Sequence, residues 1–190
     1  MSSAIKQGNF TVAACETSVL FGFEGKREAV ISFLFEVLAQ NKPLILLLFS
    51  DEPTDWMTSD PAFMAKWASL MSEVLARGNK IRIIHTVSRD LDEMLNAIAQ
   101  WVPLYMTGLI EPYYYPKKRD GIFKRTLFIA PGTAAVISTS VGSMVNEAAN
   151  FLIRSCQAVA AVEQEFNQYL RLCQPLMRIF AAANLHAYMN

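Results

Sequence analysis

Phe123-Lys124-Arg125-Thr126-Leu127-Phe128-Ile129-Ala130-Pro131-Gly132-Thr133-Ala134-Ala135-Val136-Ile137-Ser138-Thr139-Ser140 is the stretch on which the fold turns. Two runs rich in β-branched and aromatic residues, Ile122 to Ile129 and Thr133 to Ser140, flank the short Ala130-Pro131-Gly132 connection. Pro presets one turn dihedral and Gly accepts a positive one, so the spacing predicts two antiparallel strands in a hairpin.

Upstream of the hairpin the texture is different. Lys26 to Gln40 carries Ala29, Val30, Phe33, Leu34, Val37 and Leu38 at helical spacing, just after Gly25. Leu44 to Phe49 is uniformly aliphatic apart from its last ring, the pattern of a strand buried on both faces. A polar loop, Ser50 to Ser59, leads to Asp60 and Pro61, which read as an N-cap and first helical residue of a helix reaching about Ala76. Lys80 to Val87 is a second strand, and Ser88 caps a third predicted helix, Arg89 to about Trp101. Connections of this length make the two strands parallel. Leu109 to Tyr115 is again β-prone, and Phe10 to Phe23 fits either a short strand or a helical turn.

Downstream, Asn146 to Gln174 reads as one long helix with Ala149, Leu152, Ile153, Cys156, Val159, Ala160, Phe166, Leu170 and Cys173 on its apolar stripe. The expected architecture is α/β: a mixed sheet, with parallel core strands and a C-terminal hairpin, flanked by helices. It spans residues 1–190 as one domain, with 1–9 frayed and 146–190 a C-terminal helical segment.

Composition narrows the function classes. The 190 residues are 53% apolar, enough for a sizeable core. Seventeen basic and seventeen acidic residues cancel, which argues against nucleic-acid binding by the chain as a whole. Cys15, Cys156 and Cys173 are too scattered for a zinc site or a disulfide framework, which points to a reducing cytoplasm. No metal and no cofactor is expected. The longest apolar run is far below the roughly 20 residues of a membrane span, so no membrane partner is expected.

With this frame in place, the hairpin resembles the core motif of the phospholipase D family. That pattern is His-x-Lys, four residues, Asp, six residues, Gly-Ser-x-Asn. Laid on without gaps, Phe123 falls on the His, Arg125 on the Lys, Ala130 on the Asp, Ile137 on the Gly, Ser138 on the Ser and Ser140 on the Asn. The resemblance implies a phospholipase-D-like half-domain. The family's chemistry needs a His nucleophile and a His general acid, one from each of two motifs. Phe123 cannot attack phosphorus, so no catalytic residue is assigned. Arg125 keeps a charge suited to an anion.

Three other stretches, starting at Gly22, Leu47 and Leu104, are similar to the region that follows the helix-turn-helix domain in a group of bacterial transcriptional regulators. That likeness implies a sensor or dimerisation domain, a homodimer, and DNA contact only through a separate helix-turn-helix domain. The long C-terminal helix would suit a two-fold partner.

Candidate ligand residues follow from both lines. His85 ends the second strand and Asp51 follows the first, where ligands gather in parallel sheets; loop solvation, helix capping and a hydrogen-bonded structural histidine are the plainer account of the same residues. Tyr115 closes the run Tyr113-Tyr114-Tyr115 before Lys117, Lys118 and Arg119. With Arg125 and Ser138, these make the expected site for a small molecule or anion. The competing reading is a phosphodiesterase or transferase with a remodelled site using His85. A Ser50-His85-Asp51 triad lacks a nucleophile-elbow sequence around the serine.

Overall fold

The computed structural model describes residues 17–86, 105, 107–117, 121–142 and 144–176. Among them one eight-stranded sheet runs in the order β1-β7-β6-β5-β2-β3-β4-β8. The strands are β1 (Thr17–Phe21), β2 (Ile45–Ser50), β3 (Lys80–His85), β4 (Ile110–Tyr114), β5 (Phe123–Ala130), β6 (Ala134–Val141), β7 (Ala149–Ile153) and the two-residue β8 (Gln174–Pro175). β2, β3 and β4 are parallel neighbours. β5 joins β2 antiparallel, and β6, β7 and β1 continue antiparallel to the far edge. The expected parallel core with an appended hairpin is therefore present.

Alternation along the strands divides the core. α1 (Gly22–Leu38), the one-turn α2 (Asp55–Thr58) and α3 (Pro61–Ala76) cover one face, where Leu46, Leu48, Ile81, Ala130, Val136 and Leu152 are buried. α4 (Cys156–Leu170) covers the other over Leu47, Phe49, Ile84, Leu127, Ile129 and Ala135. Residues of opposite parity on β2 thus enter opposite cores, as its unbroken apolarity required. Asp60 caps α3 as expected, its Oδ1 accepting from the N–H groups of Ala62 and Phe63 at 3.0 Å each. Thr133 N–H closes the hairpin turn on Ala130 C=O at 2.9 Å, with Gly132 at φ +68°.

The structure corrects one expected element. Asn146 to Gln174 is not a continuous helix. A short 3-10 turn (Met144–Glu147) leads into β7, and α4 starts at Cys156. Ala149 to Ile153 is only five residues long, too short for periodicity to separate strand from helix. Tertiary pairing decides, because β7 fills the gap between β6 and β1. Asn150 fastens the junction: its Nδ2 donates to the carbonyls of Leu20, Gly22 and Ala148 at 3.1–3.3 Å. Gly22 is required here, since at φ +65° an added Cβ would lie 2.7 Å from Asn146 O. The ambiguous segment from Phe10 resolves into β1 for its described part. The helix expected at Arg89 to Trp101 lies outside the described residues.

Candidate functional site

The carboxyl ends of β2 and β3 meet the open end of the β5–β6 hairpin. From Ser50, the last residue of β2, the chain runs on through Asp51 and Glu52 with alternating direction, and the glutamate turns into the α1 side of the sheet. Its side chain is fully buried. Oε2 accepts from Lys26 Nζ, from Thr126 Oγ1 at 2.6 Å and from Ser138 Oγ at 2.7 Å, and Oε1 accepts from Ser140 Oγ at 2.8 Å. Lys26 Nζ also donates to Thr126 Oγ1 at 2.9 Å and lies 5.2 Å from the centre of the Trp56 ring. Thr126 spends its one proton on Glu52, so Ser50, 2.8 Å away, donates to it.

This cluster is electrically closed. Burial pushes the Glu52 pKa upward, but the charge and hydrogen bond of Lys26 and the hydroxyls of Thr126 and Ser138 outweigh it and hold it below the ordinary glutamate value. Burial pulls Lys26 down, against the opposing pull of Glu52. A buried pair of this kind persists when further hydrogen bonds satisfy its oxygens, and here each Glu52 carboxylate oxygen accepts from at least one hydroxyl.

Beside it lies a cleft of about 330 Å³. Trp56, Met57, Trp67, Ile83 and Phe128 form apolar walls, and Ser50, Asp51, Thr54, His85 and Thr86 supply polar groups. His85 Nε2 is 2.6 Å from the Tyr105 hydroxyl. Burial lowers the His85 pKa to about 4, so the ring is neutral at physiological pH.

The five sequence-predicted residues divide between two faces. Asp51 and His85 line the cleft, and Ser138 stands behind Glu52 on the same side. Arg125 lies on the α4 face, where both terminal nitrogens donate to the Glu165 carboxylate, the second at 3.0 Å. Tyr115 is on that face too, its ring 5.5 Å from Tyr169. Asp51 joins the two regions through the backbone: its Oδ1 accepts from Arg125 N–H at 2.5 Å, and its own N–H donates to Arg125 C=O at 3.1 Å. In the hairpin register Arg125 faces Thr139 and Thr126 faces Ser138, so the motif's Arg125 and Ser138 positions project to opposite sides. Phe123, at the nucleophile position, is 67% exposed. Ser50 Oγ and His85 Nε2 address different partners, Thr126 and Tyr105.

Lys26 and Glu52 were invisible as site residues. Lys26 opens an apolar stripe and Glu52 sits in an acidic loop, the places where solvated charges are ordinary. The signal available was the spacing of Lys26 at one turn before Ala29 and Val30, on the buried face of α1. Among the described residues no cluster of His, Cys, Asp and Glu could hold a metal ion. No helix among them is long and apolar enough to cross a membrane.

No protein-family model and no curated protein matches the sequence. Solved structures do. Nuc from Salmonella typhimurium, a phospholipase D family member, superposes with a TM-score of 0.51 at 12% identity, over 84% of this chain and 98% of Nuc. The fold is phospholipase-D-like. Two larger proteins also superpose on this chain. The archaeal chromatin protein TrmBL2, whose structure shows a novel mode of DNA binding, matches with a TM-score of 0.55 at 15% identity, over 87% of this chain and 56% of TrmBL2. Polyphosphate kinase from Porphyromonas gingivalis matches with a TM-score of 0.54 at 13% identity, over 79% of this chain and 25% of the kinase. The chain thus spans about half the length of TrmBL2 and a quarter of the kinase. At these identities the likeness is one of fold, shared by DNA-binding and enzymatic proteins alike.

Proposed function

We propose that this is a non-catalytic phospholipase-D-like domain that binds a small molecule and dimerises, serving as the sensor part of a transcriptional regulator. The observation that carries the reading is the cleft at the carboxyl ends of β2 and β3. It has the make-up of a small-molecule site: aromatic walls with a few fixed polar groups. Asp51 and His85 are its ligand residues. With His85 neutral and Lys26 committed to Glu52, the cleft suits an uncharged ligand with a hydrogen-bonding end. The nucleophile position holds Phe123, which supports a binding role over hydrolysis.

A homodimer is part of the proposal. Phe21, Ile122, Phe123, Val141 and Met144 are all large, apolar and roughly half or more exposed around the hairpin's open end. A groove over Phe123, Val141 and Met144 runs through this region. Exposed apolar surface of this kind marks association, and a second copy of the chain is the partner proposed. DNA contact would come from a separate helix-turn-helix domain. The likeness to TrmBL2, a chromatin protein that binds DNA, supports a DNA-associated setting.

The test uses benzyl alcohol as a small uncharged probe, followed by the indole N–H resonances of Trp56 and Trp67. The proposal expects saturable shifts at both, the Trp56 shift being lost in Trp67→Ala, and no hydrolysis of bis(4-nitrophenyl) phosphate. Unmoved indole signals, or phosphodiester turnover that depends on His85, would overturn it.

A further inference from the structure

Four donors converge on one buried carboxylate: the Lys26 ammonium and the hydroxyls of Thr126, Ser138 and Ser140. They come from α1, β5 and β6, three separate elements, and Lys26, Thr126, Ser138 and Ser140 are 2%, 0%, 0% and 6% exposed. A cation with several fixed hydroxyls is a receptor for a small oxyanion, whatever atom the oxygens are attached to. Only the occupant comes from elsewhere. Glu52 is carried in by the loop after β2, not by the elements that hold the donors. It fills the place a free carboxylate, phosphate or sulfate would take.

We propose that Lys26, Thr126, Ser138 and Ser140 form an oxyanion site that the chain keeps filled with its own Glu52 carboxylate. The inference stands apart from the small-molecule reading of the cleft and survives its failure. The donor set is preformed by the sheet and α1, because Thr126 and Ser138 are directly paired across the hairpin and Lys26 is fixed by the buried stripe of α1. In the wild type the buried Glu52 side chain fills the site, and Trp56 stands over the ammonium. Removing the Glu52 side chain beyond Cβ leaves a space the size of acetate, with the donors still in position.

The experiment is chemical rescue of Glu52→Ala by acetate, with chloride at equal ionic strength as the control. Ligand binding to the folded state raises the unfolding midpoint in proportion to the logarithm of its concentration. The expected result is an acetate-dependent rise in the midpoint of Glu52→Ala, with none beyond chloride in the wild type. Inorganic phosphate, in parallel, tests whether the site takes the larger anion. If Glu52→Ala is unfolded in chloride, the same titration is read by far-ultraviolet circular dichroism, and acetate restores the fold. The double variant Lys26→Met/Glu52→Ala loses the response. No acetate effect on Glu52→Ala in either reading, or an equal effect in the double variant, would overturn the proposal.

Discussion

The two faces of the β5–β6 hairpin end in opposite ways. On the α1 face Thr126, Ser138 and Ser140 are buried and bonded to Glu52. On the α4 face, at odd-numbered positions of the same β5, Phe123 is exposed and Arg125, next to Thr126, holds Glu165 at the surface. A one-residue step in a strand exchanges core for solvent. The polar chemistry of this hairpin has gone inward, to hold the loop after β2, and the positions matching a catalytic His and Lys have gone outward, to an apolar rim. The hairpin is a structural joint on one side and carries an exposed apolar rim on the other.

The sharpest way to break this contrast is to unpair the buried side. Lys26→Met leaves Glu52 buried without its cation, and a loss of about 3–5 kcal/mol is expected by chemical denaturation. A loss below about 1 kcal/mol would mean that water already reaches the carboxylate. On the other face, Arg125→Ala removes a partly exposed ion pair, and less than about 1 kcal/mol should go. The ratio of these two losses measures the difference between the faces.

Acid sharpens the picture at the cleft. His85 is neutral in the folded chain down to about pH 4, whereas an unfolded histidine protonates near pH 6.5. Between those values the unfolded state binds more protons, so stability falls as pH falls. The effect approaches about 3 kcal/mol at its limit, and His85→Gln should remove most of that slope in urea titrations at pH 4.5 and 7. The depressed Glu52 value acts in the same direction at lower pH: its contribution is present above the ordinary glutamate pKa and is lost as pH falls through the folded one. The smallest effect on stability, and a clear one on mass, belongs to the rim. Phe123→Asp should leave the unfolding midpoint of the monomer nearly unchanged and convert a dimer to a monomer in light scattering. An unaltered mass would contradict a dimer formed through this rim.

Much of this fold was legible in the sequence because its signals are local. The Ala130-Pro131-Gly132 turn, the aliphatic run of β2 and the Asp60-Pro61 helix start each decide their own geometry, and each stands in the structure as read. β7 was missed because Ala149 to Ile153 becomes a strand only by filling the slot between β6 and β1, a fact about distant residues. The site was half legible. Asp51 and His85 follow from the rule that ligands gather beyond the carboxyl ends of parallel strands, and both line the cleft. Grouping Arg125 with Ser138 came from a linear pattern, which carries spacing but not strand parity. Lys26 and Glu52, 26 residues apart and charged, meet only through tertiary packing.

The most direct measurement is a crystal structure of the wild-type protein grown or soaked in concentrated sulfate. The account predicts the Glu52 carboxylate within hydrogen-bond distance of Lys26, Thr126, Ser138 and Ser140, with sulfate excluded from that position and Phe123 on the outer rim. A sulfate seated among Lys26, Ser138 and Ser140, with Glu52 turned out to solvent, would contradict it.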